Sequence, residues 1–317
     1  MFRSYEKILV KTTRGCLRKS STTNNAAISR REFLTAGKIA GIGLTASMVS
    51  SRKTSAGDEI VLSFGLVADL HYADKEPWRT RIYRDSAQKL RTCIETFRKL
   101  NLQFIVELGD IIDKADWKTE RKYLETINYI FKGFRGKRYY VLGNHDLSTF
   151  SKSDFIGFSG AKKNYYSVDY GEYHFVILDA NYNSDGSDYD AGDFDWTETY
   201  IHSPQQLWLK SDLEQARMKK IIVFVHQNLH DENDPHGVKN APEIRRILED
   251  MGNVVVVFQG HDHKGGYSEI NGIHYVTLRA AVEGRAPENY AYAVVEVSRN
   301  GRIYVNGYGQ QKSFEFT

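Results

Sequence analysis

Hydrophobic and polar positions follow two patterns along most of the chain, and each pattern predicts one type of element. Short apolar runs, such as VVVVFQ at 254–259, are typical of strands buried on both faces. Apolar residues at helical spacing, such as Leu90, Ile94 and Phe97, indicate amphipathic helices. Strands are predicted within 59–69, 103–108, 137–142, 164–180 (a hairpin turning at Gly171), 219–225, 254–259, 274–282, 292–298 and 302–307, and helices within 84–100, 122–131, 203–216 and 241–250.

The alternation of these strands and helices contains no repeat and no Pro/Ser-rich linker, and it predicts one α/β domain over 57–317. The predicted N-caps of three helices are Asp85, Ser203 (with Pro204 at the first helical position) and Asn240. The longest irregular stretch, 181–200, is acidic, and we expect it to be a surface loop over a site.

The net charge of +3 is distributed unevenly along the chain. Residues 1–56 contain eleven Lys or Arg and two Asp or Glu, a net charge of +9. Since the whole chain carries +3, residues 57–317 carry −6. The predicted domain therefore lacks the basic character of a nucleic acid binder, and no nucleic acid polymer is expected as a partner. Its single cysteine, Cys93, excludes an internal disulfide.

The N-terminal segment, 1–56, has the pattern of a twin-arginine export signal preceded by an extension. Arg30 and Arg31 are followed by an apolar stretch of eleven residues, 39–49. A membrane span needs about 20 residues, so no stable membrane anchor is expected. We expect the twin-arginine machinery to export the folded, metal-loaded protein to the periplasm or the extracellular space.

Polar clusters follow several of the predicted strands, at the point where each strand ends. The carboxyl ends of strands are where α/β sheets bind ligands, so these clusters can converge on one site. The residue types in them, Asp, Asn and His, are metal ligands. The clusters are Asp69-Leu70-His71, Gly109 to Asp113 (GDIID), Gly143 to Asp146 (GNHD), His226, and Gly260 to His263 (GHDH).

Two of the clusters contain potential ligands two residues apart, Asp69 with His71 and His261 with His263. Side chains at this spacing point to one side of an extended chain, so each pair is expected to hold a cation from a single strand end. Taken singly, most of the motifs are compatible with ordinary turns, and GHDH is compatible with half of a structural zinc site. Their combination at successive strand ends favours a metal-dependent active site.

The histidines outside these motifs carry weaker signals. His174 and His274 fall on predicted strands and are expected to be packing or surface residues. His202 and His230 are expected in loops, and His236 at the mouth of the site.

The combined pattern D-x-H, G-D-x-x-D, G-N-H-[DE], H and G-H-x-H resembles that of the calcineurin-like metallophosphoesterase superfamily. The resemblance covers residues 59–308 and implies a four-layer α/β/β/α sandwich with a single catalytic domain. The stretches FGLVADLHYAD, LGDIID, GHDHKGGYSE and EGRAPENYAYAVVEV are similar to the manganese-dependent ADP-ribose/CDP-alcohol diphosphatase branch. The loops at 146–164 and 181–203 differ from that branch.

The resemblance also implies roles for individual residues. Two divalent ions, manganese first and iron, zinc or cobalt as alternatives, would activate a bridging hydroxide that attacks phosphorus. His145 would face the phosphate and stabilise or protonate the leaving group, and Asp113 would hold its ring. No organic cofactor is required. Asp69, His71 and His263 would bind the first ion, Asn144, His226 and His261 the second, and Asp110 would bridge both.

These features predict a hydrolase of small phosphate esters. The carboxylates of Asp69 and Asp110 would leave the dimetal site only slightly positive. The motifs contain no Lys or Arg, and Lys264 directly follows the last motif. This favours phosphodiester or diphosphate bonds in nucleotide-like compounds. One alternative is a broad extracytoplasmic phosphomonoesterase that scavenges phosphate, and another is a non-catalytic metal-binding protein on the same fold. A purple acid phosphatase-like enzyme would need a tyrosine ligand where Asp113 stands.

Overall fold

The computed structural model describes residues 59–317, and it contains two six-stranded sheets. The first sheet has the order β12-β11-β10-β1-β2-β3. Strands β1, β2 and β3 are parallel, whereas β10 runs antiparallel to β1. Its strands are β1 (Ile60–Val67), β2 (Phe104–Glu107), β3 (Lys137–Tyr140), β10 (Ala291–Ser298), β11 (Ile303–Gly309) and β12 (Phe314–Phe316).

The second sheet has the order β4-β5-β6-β7-β9-β8. Its four central strands are parallel, and β4 and β8 are antiparallel edge strands. Its strands are β4 (Tyr166–Tyr170), β5 (Tyr173–Ile177), β6 (Lys220–Phe224), β7 (Val254–Gln259), β8 (Gly266–Ile270) and β9 (Ile273–Thr277).

The helices cover the outer faces of both sheets. A cluster that includes Leu90, Ile127 and Phe155 buries three helices against the first sheet, and a cluster that includes Leu213 and Ile244 buries two against the second. The helices are α1 (Ser86–Lys99), α2 (Trp117–Phe131), α3 (Lys152–Ser159), α4 (Ser203–Gln215) and α5 (Ala241–Met251).

The two sheets face each other across an aromatic core. The Phe64 ring stacks on Phe104 at 4.9 Å and meets Phe175 and Phe224 of the other sheet edge-on, at 5.5 and 5.9 Å. Burial of these side chains in an interdigitated layer stabilises the contact between the sheets. The order of layers is therefore helix, sheet, sheet, helix, which confirms the predicted α/β/β/α sandwich.

The local predictions were less accurate than the predicted layers. Asp85 precedes α1 but makes no capping bond, and its carboxylate accepts from the Ala286 N–H instead. Ser203 is the first residue of α4 rather than its cap. The Asn240 side chain also makes no cap, because it exchanges hydrogen bonds with the Ile201 backbone.

In the part of the chain that the structure describes, one α-helix and two strands were missed, namely α3, β8 and β12. Helix α3 had a sequence signal, since Ser151 and Asp154 form a capping box. The export segment lies outside the described residues. Within residues 59–317, no helix has the length and apolar character of a membrane span.

Candidate metal centre and active site

Backbone hydrogen bonds beyond the strand ends bring the sequence motifs together. The N–H of Asp69 donates to Gly109 O at 3.0 Å, and that of His71 to Asp110 O at 2.8 Å, so the first two motifs run side by side. In the second sheet, Gly260 donates to His226 O at 2.9 Å. The parallel strands thus deliver their polar ends to one edge, as predicted from the fold class.

Potential ligand atoms converge there in overlapping groups, within each of which all atoms lie within 4.8 Å of one another. One group contains Asp69, His71 and His263, and another contains Asp110, His226 and His261. A third joins His71, Asp110 and His145, so Asp110 lies between the other two. The groups contain six of the seven residues that the family resemblance implies as ligands, all except Asn144, and their assignment to two ions stays a prediction.

The expectation that each pair at i and i+2 holds one cation is wrong for the second pair, since His261 and His263 fall in different groups. His261 has φ of 68°, so the spacing rule for an extended chain does not apply to this pair. Asp69 and His71, with φ of 53° and 41°, are not extended either, but their side chains share one group. Left-handed conformations are strained for residues with a side chain, and their concentration at one place is typical of functional sites.

Glycines make room for this crowding. Gly109 has φ of 100°, and a Cβ there would lie 2.5 Å from His226 Nδ1. A Cβ on Gly143 would overlap the carboxylate of Asp110. The first glycines of GDIID and GNHD are therefore required by the close approach of the site residues.

Two buried polar atoms near this edge, Asn144 Oδ1 and His261 Nε2, have no hydrogen-bond partner in residues 59–317, and His226 Nε2 lies 3.3 Å from Asp110 Oδ2. Buried polar atoms are normally paired, so the unpaired atoms among these residues favour a bound ligand. His71 Nε2 and His263 Nε2 lie only 3.1 Å apart, as two ligands of one ion would. The donor set fits two divalent ions, although the role of each residue as a ligand stays a prediction.

Two histidines of the ligand groups, His226 and His263, are each oriented by a hydrogen bond from Nδ1, the ring nitrogen that faces away from the other ligand atoms. His226 Nδ1 lies 2.8 Å from the carbonyl oxygen of Leu108, which can only accept, so Nδ1 donates to it and Nε2 is the nitrogen that faces Asp110, at 3.3 Å from Oδ2. Burial opposes protonation of His226, but Asp110 outweighs it and raises the histidine pKa to about 9 in the metal-free protein. His263 Nδ1 lies 2.6 Å from Glu283 Oε1.

His145 is placed as expected, beside the cluster and against Asp113. Its Nδ1 lies 2.8 Å from Asp113 Oδ1, and the side chain is 27% exposed, so it can reach a substrate. Burial lowers the pKa of His145, but the carboxylates of Asp110 and Asp113 outweigh burial and raise it. Lys75 Nζ lies 3.0 Å from the other oxygen of Asp113.

Asp146, the last residue of GNHD, holds the backbone of the second motif. Its buried carboxylate accepts from the N–H groups of Asp110, Ile111 and Gly143 at 2.9, 2.9 and 3.0 Å. Burial, with the charge of Asp110, raises the pKa of Asp146 to about 7. Its position directly after His145 was the only sequence signal for this role.

Two cationic residues that sequence reasoning missed also lie near the site. Lys75 pairs with Asp113, and the charge of Arg81 affects the pKa of both His145 and Glu283. The site therefore has more cationic surroundings than its motifs alone indicate.

The acidic loop at 181–200 extends to the site, as expected. Trp196 is 41% exposed, and its ring lies 5.5 Å from that of His261 and 5.6 Å from that of His236. His236 is thus at the mouth, as predicted. A second exposed tryptophan, Trp78, lies in a turn closed by hydrogen bonds with Arg81.

The remaining histidines lie away from the ligand groups. His174 is buried between two carboxylates, and His274 stacks on Phe316 at 4.1 Å. His202 stacks on Tyr182 at 3.9 Å, and His230 is hydrogen-bonded to Gln259.

Comparison with known proteins agrees with this geometry. The family profile described as calcineurin-like phosphoesterase matches residues 62–265, which is more than half of the chain. The chain belongs to this family. As a calcineurin-like phosphoesterase, it is a metal-dependent hydrolase of phosphoric esters.

Its relatives within the calcineurin-like phosphoesterases include two plant proteins. A manganese-dependent ADP-ribose/CDP-alcohol diphosphatase of Arabidopsis thaliana is 27% identical over 311 residues, or 83% of this chain and 99% of the relative. Its counterpart from Oryza sativa subsp. japonica is 28% identical over 295 residues, or 75% of this chain and 89% of the relative. Among solved structures, a dimetal phosphatase from Danio rerio has a TM-score of 0.71 and 24% identity, covers 82% of this chain and 99% of its own, and shows the shared fold.

Proposed function

We propose that this calcineurin-like phosphoesterase hydrolyses diphosphate or phosphodiester bonds in nucleotide-like compounds, with Mn²⁺ as its best activator. The observation that carries the proposal is the exposed Trp196 ring beside His261, because a planar surface at the rim of a metal site suits a base attached to a reacting phosphate. The two plant relatives are named for manganese and for diphosphate substrates.

The ligand set Asp69, His71, Asp110, Asn144, His226, His261 and His263 would hold two divalent ions. Bound there, such ions would polarise the phosphoryl oxygens and supply an activated water. His145 would donate a proton or a hydrogen bond to the leaving oxygen, since its ring is partly exposed beside the cluster. Asp113 would keep that ring oriented through the Nδ1 hydrogen bond.

Lys75 and Arg81 support a preference for substrates that carry a second phosphate group. Lys75 pairs with Asp113 behind His145, and the charge of Arg81 acts on both His145 and Glu283, so these cations could help to neutralise the non-reacting phosphate of a diphosphate. Trp78 lies in the same turn as Arg81 and is 52% exposed. A phosphomonoester that carries no base would use the ion cluster but neither tryptophan.

The decisive experiment compares kcat/KM of the Mn²⁺-loaded protein for ADP-ribose, bis(p-nitrophenyl) phosphate and p-nitrophenyl phosphate. We expect ADP-ribose or the diester to exceed the monoester, and Trp196→Ala to raise KM for ADP-ribose without affecting the monoester. The exposed Trp117, which lies on α2 away from the rim, is the control for tryptophan replacement. A tenfold preference for the monoester would instead support the phosphate-scavenging alternative.

The proposed ligand role is tested by Asp110→Ala and metal analysis. Because Asp110 lies between both ligand groups, its loss should remove metal as well as activity. If the variant kept two equivalents of metal and normal activity, the assignment of the site would be wrong.

We also propose that residues 1–56 direct twin-arginine export. Replacing Arg30 and Arg31 with Lys should leave an active precursor in the cytoplasm, whereas Arg52→Lys, beyond the apolar stretch, should export normally. Fractionation of the host cells distinguishes the outcomes, and normal export of the double variant would refute the signal.

A further inference from the structure

The ligand group of Asp69, His71 and His263 is supported by one short segment, residues 280–284. The N–H groups of Ala281 and Val282 donate to Ala68 O and Asp69 O, both at 3.0 Å, and Ala280 donates to His263 O at 3.2 Å. Within residues 59–317, no backbone hydrogen bond joins this segment to Asp110, His226 or His261. The segment therefore supports one side of the cluster only.

The same segment carries the carboxylate that orients His263. Glu283 Oε1 lies 2.6 Å from His263 Nδ1. A ring N–H donates to a carboxylate oxygen at this distance, so Nδ1 carries the proton and the other nitrogen, Nε2, faces His71 Nε2 at 3.1 Å.

The segment is in turn held by a buried lysine on helix α1. Lys89 is 3% exposed, and its Nζ lies 2.8, 3.1, 3.0 and 2.6 Å from the carbonyl oxygens of Ala281, Val282, Glu283 and Gly284, respectively. An ammonium group has three donors, so it can hold several carbonyls at once and fix the path of the chain between them. Because a buried lysine is costly unless it is well hydrogen-bonded, this residue is not explained by packing alone.

We propose that Lys89 and Glu283 are positioning residues that fix the His263 ring and so set the affinity of the metal position formed by Asp69, His71 and His263. The inference rests on the proposed metal binding and goes beyond it, because it assigns unequal support to the two positions. His226, on the other side of the cluster, is oriented at Nδ1 by the Leu108 carbonyl oxygen and not by a carboxylate.

The test is a titration of metal-depleted full-length protein with Mn²⁺, with free Mn²⁺ followed by electron paramagnetic resonance. For Glu283→Ala, we expect the Mn²⁺ affinity of one of the two positions to fall by about 10- to 100-fold, the usual effect of removing the partner of a ligating histidine. Glu283→Gln should lower this affinity less, because its amide oxygen can still accept from Nδ1. Glu288→Gln removes a charge from the same loop at an exposed position and should behave as wild type.

A second measurement needs no metal. Long-range ¹H–¹⁵N spectra report the tautomer of each histidine ring, and His263 should carry its proton on Nδ1 in the wild type. In Glu283→Ala the ring should become a mixture of tautomers, while His226 stays unchanged. A purely structural role of Glu283 would leave the His263 tautomer as it is.

Lys89→Met tests the lysine that holds segment 280–284. It keeps the length and apolar stem of the side chain but leaves the four carbonyls without their donor. The same position should therefore bind Mn²⁺ more weakly, and the amide hydrogens of segment 280–284 should exchange faster. If Lys89→Met does not fold, the Glu283 variants alone decide the question.

The outcomes separate this inference from the proposed function. A wild type that binds no Mn²⁺ would remove the basis of both. Suppose instead that the wild type has two Mn²⁺ positions and that Glu283→Ala either keeps both at wild-type affinity or weakens both equally. This result would refute the positioning role of Lys89 and Glu283 and leave the proposed function intact.

Discussion

His145 and His174 are both hydrogen-bonded to aspartates, but their surroundings differ. His145 has one aspartate, Asp113 at 2.8 Å, and its side chain is 27% exposed next to the metal ligands. His174, on β5, is only 8% exposed and lies between Asp169 at 2.7 Å and Asp212 at 2.9 Å. The first ring has a free side that can meet a substrate, whereas both nitrogens of the second are used inside the protein.

The electrostatics of the two rings are alike. Burial lowers the pKa of each histidine, and in each case neighbouring carboxylates outweigh burial and raise it. A raised pKa therefore does not distinguish a proton donor in an active site from a structural cation. Access to the reacting group distinguishes them, so the two sites should respond to mutation in opposite ways.

The largest expected effect is on catalysis at His145. His145→Ala should lower kcat by on the order of 10²-fold or more, the usual contribution of a positioned acid or base. It should keep its Mn²⁺, because removing this ring leaves the proposed ligands in place. Steady-state kinetics with metal analysis check this, and metal loss parallel to the loss of rate would make His145 a ligand instead.

The next effect is on stability at His174. His174→Gln should lower the free energy of unfolding by about 2 kcal/mol, less than for a fully buried pair because the Asp169 partner is half exposed. Its kcat/KM should stay at the wild-type value. Urea unfolding of the metal-free proteins and kinetics of the metal-loaded proteins measure the two quantities. A large loss of activity with unchanged stability would reverse the comparison.

Neutralising the aspartates should sharpen the contrast further. Asp113→Asn should lower kcat by roughly tenfold, since the amide can still hold the ring of His145 but no longer stabilises its positive charge. Asp212→Asn is the matched control at His174 and should leave kcat unchanged. Equal kinetic effects of both changes would show that the His145 pair has no special role in the reaction.

The smallest effect concerns pH. The folded-state pKa of His174 is raised above its unfolded value of about 6.5, so the protonated ring stabilises the folded state fully below that pH. This contribution is lost as the pH rises through the folded-state pKa. The difference in unfolding free energy between wild type and His174→Gln, both metal-free, should therefore be larger at pH 6 than at pH 9. A difference that grows with pH would contradict the assignment of His174 as a buried cation.

Local patterns were sufficient for most of the fold. Apolar runs and helical spacing predicted the main strands and four of the five α-helices in residues 59–317, because burial against a sheet imposes a period that is visible in sequence. Helix α3 was missed because it is only eight residues long and its apolar positions are few. Asp85 and Asn240 occupy the predicted N-cap positions but make no capping bond, and each side chain is bonded to a residue distant in sequence.

The candidate site was predictable where its residues fall in motifs. Asp69, Asp110, Asn144 and His226 stand at strand ends, and parallel strands must bring such ends to one edge. Glu283 and Lys75 carry no comparable signal, because each is a single charged residue whose partner, His263 or Asp113, is determined by the folding of separate segments.

The sequence by itself determined the layered α/β architecture and the identity of the metal-binding motifs, since both depend on short-range periodicity and on residue type at strand ends. Only the tertiary structure showed that the side chains of His261 and His263 lie in different groups, against the expectation from their spacing. The left-handed backbone at Asp69, His71 and His261 means that a spacing rule for extended strands does not apply there. The tertiary structure also separated His145 from His174, because what a histidine can do depends on whether both its nitrogens are already bound, and that is set by packing between distant segments.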